Sequence, residues 1–179
     1  YRVPIGKSIL GRSECMHCNK LIPFYLNIPL LGFLILRGKS ACCHKSLSLQ
    51  YPIVEGLATI GALYLGITYG VNTESVLAFF LYLSLVIIFF TDLNEYIIPN
   101  LITYSLSLIG ILISYLSLSV FNLSLIESLL GGITSGLVLF ATSKIFLIIR
   151  KKEGMGMGDI KMISMIGFWM GLENTFLII

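Results

Sequence analysis

Apolar residues fall into five long blocks, Ile53–Tyr69, Val76–Phe90, Ile98–Leu118, Ser128–Ile149 and Ile160–Ile179. A helix that crosses a bilayer needs about 20 mostly apolar residues, within a range of about 17–25. Each block is read as a membrane-spanning helix; the second is short and is expected to run past Asp92 or to sit in a thin region. Pro52 and Pro99 suit first-turn positions, where a missing N–H costs nothing. Ser124-Leu125-Ile126-Glu127 has the form of a capping box before the fourth span. Gly131-Gly132 and Gly136 are small residues at which helices approach closely. Residues 1–51 are polar and cysteine-bearing, with one apolar stretch, Ile28–Leu36, too short to span. The pattern predicts an all-α polytopic membrane protein with about five transmembrane helices. Residues 1–51 form a small N-terminal cysteine segment and residues 52–179 the helical part. No internal repeat is expected.

Composition agrees with this reading. Of 179 residues, 56% are hydrophobic and 12% charged, against about 25% charged in soluble domains; the mean hydropathy is +0.94. The distribution of the Lys and Arg residues says more than the net charge of +3. Arg2, Lys7, Arg12, Lys20, Arg37, Lys39 and Lys45 precede the first span. Lys144, Arg150, Lys151, Lys152 and Lys161 cluster around the connection between spans four and five. The positive-inside rule then puts the N-terminal segment, residues 91–97 and residues 150–159 in the cytoplasm. Asp92 and Asp159 fall on that same side. The expected partners include membrane lipids and no nucleic acid. The chain begins at Tyr1 and its last span runs to the end, which reads as a piece of a longer protein.

The cysteines form two groups, Cys15-Met16-His17-Cys18 and Cys42-Cys43 with His44 beside it. Structural zinc takes four Cys or His ligands, often from two such knuckles, and a cytoplasmic location disfavours disulfides. The second knuckle is irregular, because Ser40 stands where a C-x-x-C pattern ending at Cys43 would begin. Cys15, Cys18 and Cys43 with either Cys42 or His44 would complete a zinc site, although adjacent ligands are geometrically awkward. Two pairs of free thiols are the alternative.

Ionisable residues at the edge of a span are costly and mark candidate sites. Asp159 ends the run Gly154-Met155-Gly156-Met157-Gly158-Asp159, whose alternating glycines leave a permissive backbone. Asp92 closes a different apolar block. Each has an ordinary reading: Asp92 as a solvated interfacial carboxylate, Asp159 as the N-cap of the last helix. Together they fit one mechanism. Two nearby carboxylates share a proton, so one activates water while the other protonates a scissile carbonyl. The ordinary reading of Glu55 is a first-turn residue favoured by the helix dipole, and that of Lys161 is an interfacial lysine reaching headgroups.

The ordered motifs resemble the type IV prepilin peptidases, the bifunctional leader peptidase and N-methyltransferase family of GxGD aspartyl proteases. They are Cys15-x-x-Cys18, Asn27-Ile28-Pro29, Leu36-Arg37-Gly38-Lys39, Tyr51-Pro52-x-x-Glu55, Ile98-Pro99-Asn100 six residues past Asp92, and Gly156-Met157-Gly158-Asp159-x-Lys161. The resemblance implies that Asp92 and Asp159 are the catalytic pair, supported by Gly156, Gly158 and Lys161. It implies a prepilin or pseudopilin substrate cleaved at the cytoplasmic face of the bacterial inner membrane. The new N-terminus would then be methylated from S-adenosylmethionine. It links Cys15, Cys18, Cys42 and Cys43 with methylation and zinc, and Glu55 with the methyl-donor site. Ser40 departs from the pattern, which has a third cysteine there.

An enzyme-class and a transporter-class alternative stand beside it, together with a non-catalytic third. One is a protease-only relative. The other is an ion or proton transporter that relays charge through intramembrane carboxylates. A silent assembly factor would be indifferent to either aspartate.

Overall fold

A computed structural model describes residues 13–15, 17–152 and 154–177. Arg2, Lys7 and Arg12, used in the charge reading, lie outside the described residues. The described chain is helical, with a 3-10 turn at Phe24–Asn27 followed by α1 (Leu31–Ile35), α2 (Gln50–Tyr69), α3 (Thr73–Glu95), α4 (Asn100–Tyr115), α5 (Leu125–Arg150) and α6 (Met157–Phe176). All five expected spans are helices, so this is a polytopic helical membrane protein. Three of them, α2, α3 and α5, are long and apolar enough to cross a bilayer by themselves. The other two fall short for different reasons. α4 has 16 residues. α6 has 20 but carries Asp159, Lys161 and Glu173.

The helix ends follow local chemistry. Asn72 caps α3 and Ser124 caps α5, each in a reciprocal capping box that satisfies two orphan backbone donors. α3 does run past Asp92, and stops at Tyr96, whose left-handed backbone (φ 53) closes its C-terminus. Pro99 is the N-cap of α4.

By its contacts the chain divides into two compact units, residues 1–60 and 61–179. In the first, two knuckles repeat the same backbone. Glu14 bridges Leu21, and Lys39 bridges Ser46. Cys15 N–H donates to the Lys20 carbonyl and Ser40 N–H to the Lys45 carbonyl. Asn19 N–H returns to Cys15 and His44 N–H to Ser40, and Asn19 and His44 share a left-handed φ, 54 and 53. The reading without internal repeats is thereby corrected. Cys15 corresponds to Ser40 and Cys18 to Cys43, and few side chains match, so the repeat is one of hydrogen bonding. Cys15 is the only buried hydrophobic side chain among the described residues of this unit.

The second unit has a conventional core. Leu81 and Ile88 of α3, Leu106 and Ile113 of α4, and Met165, Ile166 and Trp169 of α6 form one cluster. Trp169 is fully buried and its indole N–H donates to the Leu106 carbonyl at 2.8 Å. α5 and α6 approach closely where Gly131 meets Gly167, leaving no room for a Cβ on either. Ser128 donates to the Phe168 carbonyl at 2.6 Å and Ser164 to the Gly132 carbonyl at 2.7 Å. Small residues and interhelical hydroxyl bonds replace the hydrophobic effect that lipid cannot supply. A break at Gly171 (φ 73) bends α6 against Leu123.

Candidate functional site

The two aspartates occupy the same end of the second unit. Asp92 lies in the last turn of α3 and is exposed. Its carbonyl accepts from Tyr96 N–H at 2.8 Å, and no hydrogen bond is made by its carboxylate among the described residues. The chain turns through Ile97, Ile98 and Pro99 into α4. That connector reaches the beginning of α6. Ile98 packs on Gly158, where an added Cβ would come within 3.1 Å of the Ile98 Cβ. Asn100 Oδ1 accepts from Lys161 Nζ at 2.9 Å. Gly158 and Lys161 flank Asp159 on both sides.

Asp159 is the third residue of α6, half-buried, and the N-cap is Gly156. The ordinary reading of Asp159 as the N-cap is therefore corrected. The helix starts one turn earlier than the apolar block, and among the described residues the carboxylate makes no capping bond. It turns back over Gly156, where a Cβ would lie 3.3 Å from Oδ2. Glycine there leaves space for the carboxylate. Lys161 is half-buried, with its ammonium 5.4 Å from the centre of the Tyr104 ring. A cavity of about 250 Å³ opens beside it, lined in part by Thr103, Ser107, Gly136 and Ser164.

In the first unit the four cysteine sulfurs lie within 4.8 Å of one another. Cys15 Sγ is 3.7 Å from Cys43 Sγ, and Cys18 Sγ is 2.8 Å from Cys42 Sγ. Tetrahedral zinc with thiolate bonds of about 2.3 Å separates its sulfurs by about 3.8 Å, so small adjustments would seat the ion. Ser40 is buried in the cluster, 3.1 Å from Cys15 Sγ and 3.2 Å from Cys42 Sγ. It holds the position of a ligand in the repeated knuckle, and Cys42 supplies a sulfur from two residues further on. His44 is exposed and outside the cluster. The Ser40 hydroxyl, followed by the backbone at His17 and Cys18 and the Cys42 thiol, holds Cys15 down at about 5. Cys15 is thus readily a thiolate, the form that binds metal. Sharing with Cys42, chiefly, pushes Cys18 up to about 12. That sharing is what a metal would replace. The donor set fits zinc.

Glu55 is the sixth residue of α2, not a first-turn residue, because the helix begins at Gln50. Its Oε2 accepts from Leu30 N–H at 2.7 Å. Leu30 has a strained left-handed φ of 61 just before α1, so the carboxylate secures the connection between α1 and α2. Sequence reasoning missed this bond, the Asn100–Lys161 pair and the place of Ser40 inside the cluster. Asn100 and Tyr104 are polar side chains within an apolar block, and Ser40 stands where the cysteine spacing expects a ligand; those were the available signals.

The family described as type IV leader peptidase matches residues 79–179, and the bacterial peptidase A24 N-terminal domain matches residues 1–69. The chain belongs to the type IV leader peptidase family. Curated relatives named prepilin leader peptidase/N-methyltransferase include one from Aeromonas hydrophila, 35% identical over 165 residues, covering 92% of this chain and 56% of the relative. Another from Klebsiella pneumoniae is 35% identical over 163 residues, covering 90% and 69%. A third, from Legionella pneumophila, is 32% identical over 162 residues, covering 90% and 55%. The chain thus spans little more than half the length of most of these family members. No solved structure gives a significant match.

Proposed function

We propose that this chain is the aspartyl peptidase of a prepilin-processing system and that Asp92 and Asp159 are its catalytic pair. The observation that carries the reading is the convergence at one end of the helical unit. The connector that follows Asp92 and the first residue of α4 meet α6 on either side of Asp159, at Gly158 and Lys161. One carboxylate removes a proton from water as its oxygen attacks the scissile carbonyl. The other, protonated, donates to the carbonyl oxygen. The C–N bond then breaks with transfer of a proton to the leaving nitrogen. The pair shares one proton between two sites, so neither role is fixed to one residue.

The substrate in this reading is a prepilin or pseudopilin with a basic leader, cleaved at the cytoplasmic face of the inner membrane. The Lys and Arg clusters support that orientation. The N-terminal unit would serve N-methylation of the product. S-adenosylmethionine supplies the methyl group when bound, and Glu55 would lie near its site. Cys15, Cys18, Cys42 and Cys43 would hold a structural zinc, supported by the sulfur geometry. The test is incubation of membranes containing the protein with a prepilin, followed by mass spectrometry of the product. Leader loss with an added methyl group supports the reading; an intact precursor contradicts it.

A further inference from the structure

The first turn of α6 carries Asp159 and starts without the usual side-chain cap. Its N-cap is a glycine and no side chain caps it. A helix end without a cap leaves its first backbone donors unsatisfied and frays. Besides the burial of Ile160 in the same turn, two contacts reach it from the segment after Asp92: Ile98 against Gly158, and Asn100 Oδ1 accepting from Lys161 at 2.9 Å. Asn100 is the first residue of α4, directly after Pro99, whose ring fixes its own φ at −66. Tyr104, one turn further along α4, faces the same ammonium at 5.4 Å. Lys161 is therefore gripped at two points from one rigid helix.

We propose that Asn100 is a positioning residue. Through Lys161 it pins the first turn of α6 to the connector leaving α3, and so fixes Asp159 relative to Asp92. Tyr104 steadies the same ammonium and Ile98 closes the other side at Gly158. This rests on the reading that Asp159 is catalytic. Loss of the pin leaves substrate binding intact but lets the two carboxylates drift apart. A displacement of about 1 Å costs up to roughly 100-fold in rate, so the signature is in kcat and not in KM.

The experiment is steady-state prepilin cleavage by the purified full chain in detergent, with thermal unfolding measured on each variant. Asn100→Ala is expected to lower kcat by roughly 10- to 100-fold with KM unchanged. Asn100→Asp, which keeps an oxygen for the ammonium, retains most of kcat. Lys161→Met reproduces the Asn100→Ala loss, and the double variant is no slower than the slower single one, as one shared bond requires. If Asn100→Ala does not fold, the half-exposed Lys161 tests the same bond: Lys161→Arg keeps turnover and Lys161→Met loses it. Full kcat in Asn100→Ala or Lys161→Met overturns the proposal, as do losses that multiply in the double variant or a fall confined to KM. Asp159→Asn is measured alongside. If it cleaves normally, the catalytic reading is wrong. If it is inactive while Asn100→Ala is fully active, only the positioning role is wrong.

Discussion

The two units hold themselves together by different means. The helical unit has a buried apolar cluster from α3, α4 and α6, and a tight α5–α6 seam. The cysteine unit buries one hydrophobic side chain among those described, Cys15, and gathers three more sulfurs and a serine hydroxyl around it. Small units without a core depend on metals or cross-links. Packing thus carries one unit, while the other has a cysteine cluster whose geometry fits a metal. The two should fail under different insults, and that difference can be broken or sharpened by experiment.

The largest effect expected is from metal removal. Structural zinc contributes about 10–16 kcal/mol in zinc-finger peptides, so chelation should release about one zinc per chain and open the knuckles while the helical unit stays folded. Protease protection of each unit reads this. Cys42→Ser should lose the metal and His44→Ala should keep it, by elemental analysis. Ser40→Cys should tighten binding, because it restores a sulfur at the knuckle's own ligand position. Equal metal content in Cys42→Ser and the parent chain would break the comparison.

Next comes the seam. Gly131→Leu puts a side chain where the Gly167 backbone already lies. Overpacking of this kind costs about 1–3 kcal/mol or more. It should lower the thermal midpoint of the helical unit and leave zinc content unchanged.

A smaller effect is expected at Glu55. Glu55→Ala removes the acceptor for Leu30 N–H and should cost about 1–2 kcal/mol of order in the first unit. Glu55→Gln keeps an oxygen there and should fold normally. If Glu55→Gln loses methylation while cleavage persists, the charge serves the methyl donor. If Gln behaves as Glu and only Ala fails, the residue is a fastener. Hydrogen exchange at residues 28–35 and product mass separate these outcomes.

The helical part of the fold was legible in the sequence because apolar blocks, Ser124-x-x-Glu127 and paired glycines each have a direct physical consequence. The start of α6 was not. Asp159 and Lys161 break the apolar run, so hydropathy places the helix start at Ile160, one turn late. The two aspartates and the glycines before Asp159 were readable as residues. The device around them was not, because Asn100 and Lys161 are 61 positions apart and nothing local signals their bond. The cysteine unit was readable as chemistry but not as geometry. Ser40 breaks the spacing pattern, while the backbone repeat that explains its place is carried by carbonyl and N–H groups that every residue shares.

The central claim is that Asp92 and Asp159 form one hydrolytic pair. It is tested most directly by mass spectrometry of a prepilin incubated with purified Asp92→Asn and Asp159→Asn variants, each checked for an unchanged thermal midpoint. Each folded variant is predicted to leave the leader uncleaved, because neither carboxylate can both activate water and protonate the carbonyl alone. Cleavage at the parent rate by either folded variant would contradict the account.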